Sequence, residues 1–269
     1  MTITLTHFPA GEHGFFRAPV LLTGATEAIL VDGGFTLGDG RALVAAITAS
    51  GKTLTTIYVS HGDPDYYFSL LPVRTAFPGA RVIAASETIA AIQATVQKKL
   101  DTWGPKLGTN GPQTLGDVVV PTPFDVRTLS LDGEPIEIID ASALAGRRTL
   151  WAPSIEALFG GVLVFSGVHV WTADTATPAQ REAWRDSLDA LAARAPKVVI
   201  PGHLAQGAAT DVSAIHYTRD YLLAFEHELA LAADSAALIA AMKRRYPGAG
   251  MGVALDIGAK VAKAEMKWS

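Results

Sequence analysis

Three side chains that can hold protons or a metal ion, His61, Asp63 and Asp65, stand at alternate positions directly after the apolar run 57–59. A histidine and two carboxylates spaced by two converge on one point if the backbone between them stays extended. Pro64 favours that, because the residue before a proline is biased away from helical angles. Such a group at a strand end can ligate a divalent ion or move protons. The same residues also suit a plain polar turn, since Asp, Gly and Pro favour turns for backbone reasons alone. Tyr66 follows, a large apolar body with one polar tip that either positions a substrate oxygen or fills space. A second histidine, His203, ends the segment 198–203 (VVIPGH) in the same manner. His169 and Trp171 follow the apolar run 162–165 and are expected to rim the same cavity, His169 as a substrate contact rather than a ligand.

These residues need strands to bring them together. Residues 28–31 and 56–59 read as short buried strands, and 39–50 between them has helical apolar spacing that stops at Gly51. Residues 81–84 form a further strand candidate, and Ser86 with Glu87 suits the start of a helix over 86–100. The glycine- and proline-rich stretch 103–124 reads as a long irregular connection, either a lid or decoration. In the second half, strands 126–131 and 136–139 flank the turn signal Asp132-Gly133. Strands over 149–151, 157–159 and 162–165, a helix over 178–195 and a strand over 197–200 continue the pattern. Helices over 208–228, 235–245 and 255–268 make a helical tail of about 208–269. Strands followed by helices in each half fit a four-layer αββα sandwich, read here as one α/β domain over 1–269.

The order AILVDGG (28–34), VSHGDPDY (59–66), TLWAPS (149–154), GGVLVFSGVH (160–169), Trp184 and VVIPGH (198–203) resembles the metallo-β-lactamase superfamily from about Thr23 to Tyr246. The resemblance implies that family's αββα fold, a metal site and hydrolase chemistry. On the family's HxHxDH pattern the first histidine is His61 and the aspartate is Asp65. Asp63 stands for the second histidine and Tyr66 for the third. The mid-chain histidine falls near Asp140-Ala141-Ser142, the bridging aspartate falls on Gly161, and the last histidine is His203. Asp140 is the nearest stand-in for the missing mid-chain ligand, and Asp32 reads as a structural hydrogen-bonding group in a tight turn. Two histidines and two carboxylates do not make the usual two-metal centre, which needs bridging and more donors per ion.

Two readings follow. In the first, His61, His203 and one or both of Asp63 and Asp65 hold one divalent ion, with zinc, iron and manganese all suited to mixed nitrogen and oxygen donors. The carboxylate left over acts as base, and the implied substrate is a small ester, lactone or thioester. In the second, the cavity lined by Tyr66, Tyr67, His169, Trp171 and His203 binds a small molecule or does acid–base chemistry without metal.

The chain has 269 residues, no cysteine and a net charge of -4, which removes thiolate chemistry and any basic footprint for nucleic acid. No apolar run approaches a membrane span, and the first residues lack a basic segment leading into an apolar one, so a cytoplasmic protein with a small-molecule substrate is expected. There is no Walker A loop, GxSxG elbow or GxGxxG after a strand.

Overall fold

The computed structural model describes residues 3–141 and 143–268. The first half lays down β1 (Thr4–His7), β2 (Val20–Thr23), β3 (Glu27–Val31), α1 (Leu37–Ser50), β4 (Thr53–Tyr58), α2 (Leu70–Ala76), β5 (Arg81–Ala84), α3 (Ser86–Leu107) and β6 (Thr122–Pro123). Its strands form a six-stranded sheet in chain order, antiparallel from β1 to β3 and parallel from β3 to β6. The second half supplies β7 (Thr128–Leu131), β8 (Glu134–Asp140), β9 (Arg148–Ala152), β10 (Ala157–Phe159), β11 (Phe165–Ser166), α4 (Pro178–Ala192), β12 (Val198–Ile200) and β13 (His203–Leu204). They form a five-stranded sheet, β12-β10-β9-β8-β7, and a small parallel pair, β11-β13. The helices α5 (Val212–Leu231), α6 (Ser235–Arg245) and α7 (Gly252–Ala262) complete the chain.

Strand periodicity divides the core into layers. Successive side chains of a strand point to opposite faces, so Val20, Leu22, Ile29, Val31 and Tyr58 meet Leu129, Ile136, Leu150 and Phe159 between the two sheets. The alternate set, Leu21, Ala28, Leu30 and Ile57, faces helices α1 to α3 through Leu43, Ile47 and Ile92. On the far side Leu158 and Val199 meet Trp184, Leu188 and Leu191 of α4 and Ile215 of α5. This is the αββα sandwich with a helical C-terminal tail.

Local chemistry fixes the helix ends. Thr36 and Asp39 form a reciprocal capping box at α1, and Gly51 closes that helix with φ 65°. Thr177 and Gln180 cap α4 in the same way, with Pro178 in its first turn. The expected last helix over 255–268 is instead Gly252–Ala262, and two departures lie beside the site. Helix α3 continues through Pro105 to Leu107, so the expected irregular stretch starts later than 103. Trp103 packs edge-on against Phe15 and Phe35, and the Gln113 amide donates to the carbonyls of Gly104, Gly108 and Gly111, which ties the segment down. The expected strand over 162–165 is replaced by an irregular crossing through Gly160 and Gly161, both at φ 73°, that becomes β11 only at Phe165.

Candidate active site

Four chain segments converge at the strand ends. After β3 the chain turns sharply at Asp32, whose φ is 63°. The turn aims a buried carboxylate at the end of β4. Its Oδ1 accepts from the Ser60 amide at 2.7 Å, and its Oδ2 accepts from the Ser60 hydroxyl at 2.7 Å. The Ser60 hydroxyl oxygen in turn accepts from the Gly161 amide at 3.0 Å. Asp32 therefore locks the strand ends together, as a structural hydrogen-bonding group.

Past β4 the loop does not stay extended. Asp63 is extended, as a residue before proline should be, but Pro64–Tyr66 is a 3-10 turn. That turn swings Asp65 away from the other two. His61 and Asp63 pair at 3.2 Å on the rim, with Lys99 of α3 donating to the second oxygen of Asp63 at 3.0 Å. Asp65 instead points inward, with its Oδ2 3.8 Å from His203 Nε2 and 3.8 Å from Arg17 Nε. Tyr66 stands between the two histidine rings, edge-on to both, with centroids 5.1 Å from His61 and 6.1 Å from His203. Its hydroxyl donates to the Gly161 carbonyl at 3.2 Å and lies 3.4 Å from His203 Nε2. The four expected ligands thus form two pairs, His61 with Asp63 and Asp65 with His203, on either side of the Tyr66 ring.

The electrostatics differ between the pairs. On the rim, burial opposes charge on both partners, but mutual attraction wins. The His61 pKa is raised and that of Asp63 is lowered, with Lys99 adding to the effect on Asp63. Inside, burial dominates. It raises the Asp65 carboxyl to about 6 against the pull of Arg17, and it lowers His203 to about 3 with help from the Arg17 charge. His203 is neutral with its proton on Nδ1, which donates to the Phe15 carbonyl at 2.7 Å. Its Nε2 is left as an acceptor facing Tyr66.

Two residues complete the rim. Asp174, on the loop before α4, brings a carboxylate oxygen close enough that donor atoms of His61, Asp63 and Asp174 lie within 4.8 Å of one another. The indoles of Trp171 and Trp268 donate to its two oxygens at 3.1 and 2.8 Å. Arg147, buried with its guanidinium 4.0 Å over the Trp184 ring, approaches Asp174 to 3.8 Å. The spacing of the early motif gave no signal for Asp174 or Arg147. Trp171 does reach this rim. His169 meets Tyr221 of α5 at 2.9 Å, and burial lowers its pKa to about 4. Among the described residues no hydrogen bond or ion pair joins it to His61, Asp63, Asp65 or His203. Asp140 is engaged by Arg127 and Arg148, at 2.6 and 2.8 Å. The neighbouring Ser142 lies outside the described residues.

A family model for the metallo-beta-lactamase superfamily matches residues 15–203, the stretch that contains every residue of this site except Trp268. The chain belongs to that superfamily, and its frame is that of the superfamily's hydrolases. Solved structures agree on the fold. A metallo-beta-lactamase family protein from Thermus thermophilus is 20% identical, with TM-score 0.65 over 98% of this chain and 92% of that one. The DIM-1 metallo-beta-lactamase is 19% identical, with TM-score 0.55 over 82% of this chain and 92% of its own. A metallo-beta-lactamase from Pontibacter korlensis is 18% identical, with TM-score 0.55 over 82% and 94%. No curated protein matches in sequence. Among the described residues no helix is long and apolar enough to cross a membrane.

The fold implies metal, and the donor set decides how much of that it can accept. By the resemblance, Tyr66 and Gly161 stand at two ligand positions of a two-ion centre, and the Arg17 guanidinium lies against Asp65 and the Tyr66 face. On the rim, one pair of donors has the spacing of two ligands to a single ion. Ligands 2.0–2.2 Å from a common tetrahedral ion lie roughly 3.3–3.5 Å apart, close to the 3.2 Å between His61 Nε2 and Asp63 Oδ2.

Proposed function

We propose that this chain is a hydrolase of the metallo-β-lactamase fold that works with at most one divalent ion, held on the rim by His61, Asp63 and Asp174, on a small ester, lactone or thioester. The observation that carries the reading is the convergence of one imidazole nitrogen and two carboxylate oxygens within 4.8 Å at the partly exposed mouth. A bound ion there supplies Lewis acidity and a water of lowered pKa. The chain's own residues do the rest. Lys99 holds Asp63 in register through its second oxygen, and the two indoles fix the rotamer of Asp174. Asp65, with its pKa near 6 beside the neutral His203, is the base we assign. Tyr66 orients the pocket wall through Gly161, and no catalytic role is retained for His169, given its partner in α5.

One observation favours a second, metal-free reading. Lys99 and Arg147 already bring positive charge to both rim carboxylates, so the mouth is near electrical balance without an ion. In that case the same residues bind a polar small molecule. Elemental analysis of protein purified without a histidine tag, then equilibrated with zinc, iron or manganese, separates the two. About one equivalent that vanishes in both His61→Ala and Asp174→Asn supports the single-ion hydrolase, and esters and lactones are then assayed. No retained ion under any condition leaves the metal-free pocket.

A further inference from the structure

We propose that Arg17 takes over the structural task of the lost metal centre, so that the inner pocket is a guanidinium site built from the chain's own sequence. The inference is independent of whether the rim holds an ion. Arg17 is fully buried. Its Nη1 donates to the Gly202 carbonyl after β12, and its Nη2 donates to Asp32 Oδ2 after β3 at 3.2 Å. Its Nε, which has no hydrogen-bond partner among the described residues, faces Asp65 at 3.8 Å, and its Cζ lies 3.5 Å over the centre of the Tyr66 ring.

One planar cation therefore ties together the ends of β3 and β12 and the 3-10 turn after β4. The last two of these, which carry His203 and Asp65, are the points that an ion between those two side chains would tie. The match to a guanidinium is specific. Its donors diverge in a fixed plane toward a carbonyl and a carboxylate, and its flat face stacks on an aromatic ring, a combination that neither an ammonium nor a spherical ion provides. The pocket is also shaped to it. A Cβ on Gly202 would lie 3.0 Å from Arg17 Nη1 and 1.9 Å from the Gly161 carbonyl oxygen, so the chain has only glycine's width there. A divalent ion entering between Asp65 and His203 meets the positive charge of a guanidinium that already stands 3.8 Å from the Asp65 carboxylate, and the two cations repel.

The test is thermal unfolding of the full chain carrying Arg17→Ala, Arg17→Met or Arg17→Lys, each with EDTA, with zinc chloride, and with low millimolar guanidinium or methylguanidinium chloride. The zinc arms are repeated with His61→Ala added, so that any ion on the rim is removed from the comparison. Each substitution is expected to lower the midpoint by roughly 10 °C, the scale for stranding a buried partner in a chain of this length. Millimolar guanidinium is expected to restore part of that loss in Arg17→Ala and to do nothing for the wild type. If Arg17→Ala and Arg17→Met yield no folded protein, Arg17→Lys decides, since it keeps the charge but not the fork. A lysine variant as stable as the wild type overturns the proposal. So does a folded Arg17→Ala that guanidinium fails to rescue, or one that zinc stabilises with His61 absent.

Discussion

Gly160 and Gly161 offer a controlled test of how the second half of the site is built. Both have φ 73°, so replacing either with alanine incurs the same left-handed strain, about 1–2 kcal/mol. They differ in what a new Cβ meets. At Gly160 the nearest atoms are side-chain methyls, Val31 Cγ1 at 2.9 Å and Leu150 Cδ1 at 3.1 Å, which can shift by a few tenths of an ångström. At Gly161 the nearest atom is the backbone carbonyl oxygen of Arg148, at 1.6 Å. Restoring a contact of about 3 Å there means moving the start of β9 by more than 1 Å. Strand β9 is the middle of the five-stranded sheet and is paired on both sides, so the movement breaks ladder bonds to β8 or β10. The expected losses are about 2–3 kcal/mol for Gly160→Ala and more than about 4 kcal/mol for Gly161→Ala, beyond the usual range of point substitutions. Urea unfolding of both variants, followed by tryptophan fluorescence, measures the difference. Equal losses would refute the reasoning. The same overlap predicts that Gly161→Asp, which restores the family's bridging carboxylate in sequence, gives no two-metal centre and little folded protein.

Other outcomes follow from the site. Removing the Tyr66 hydroxyl in Tyr66→Phe leaves the buried Gly161 carbonyl short of a donor and is expected to cost about 1–2 kcal/mol in urea unfolding. His203, held neutral with its pKa near 3, contributes stability that is complete above its unfolded value of about 6.5 and is lost as pH falls toward 3. The stability difference between wild type and His203→Asn should therefore shrink by about 2 kcal/mol between pH 7 and pH 5, and a constant difference would show that the imidazole titrates normally. Asp65 works in the opposite sense. Its raised pKa makes its charge costly between about pH 4 and 6, so Asp65→Asn should remove a gain in stability that the wild type shows on acidification through that window. Trp268→Ala should change stability by less than about 1 kcal/mol, since the residue is exposed. It leaves Asp174 held by Trp171 alone, so zinc affinity measured by calorimetric titration should fall.

The strand ends were legible because short apolar runs stop at polar residues in both halves, and the C-terminal ends of β3, β4 and β12 lie within one residue of where those runs place them. The capped helix α1 was legible for the same kind of local reason. Strands β1 and β2 and helix α2 gave weaker local patterns and were not read. At the site, His61 and His203 were found from their strand-end position. Pro64 was read only through its effect on Asp63, although its own fixed φ also starts the turn that carries Asp65 inward. Arg17 was missed because its environment is non-local, with its partners Asp32 and Gly202 lying 15 and 185 residues away. The signal that was present is compositional. An arginine set in FFRAPVLL (15–22) is flanked by apolar residues on both sides, which is an unusual setting for a charge and points to a buried partner elsewhere in the fold. Asp174 lacks even that, since it lies among small polar residues in a loop, and Arg147 follows a run of small residues with no motif around it.

The 185-residue separation between Arg17 and Gly202 also bears on how the chain matures. During synthesis the first sheet can be completed once residue 123 has emerged, with Arg17 already placed at its edge. The carbonyl that receives it is made only about 80 residues later, on the order of 4–16 seconds at ordinary translation rates. Through that interval its partners Asp32 and Tyr66 are already present, and only the Gly202 contact is outstanding. Closure of this contact is therefore expected among the last events of folding. Substitutions at Arg17 should then raise the unfolding rate and leave the early folding rate unchanged.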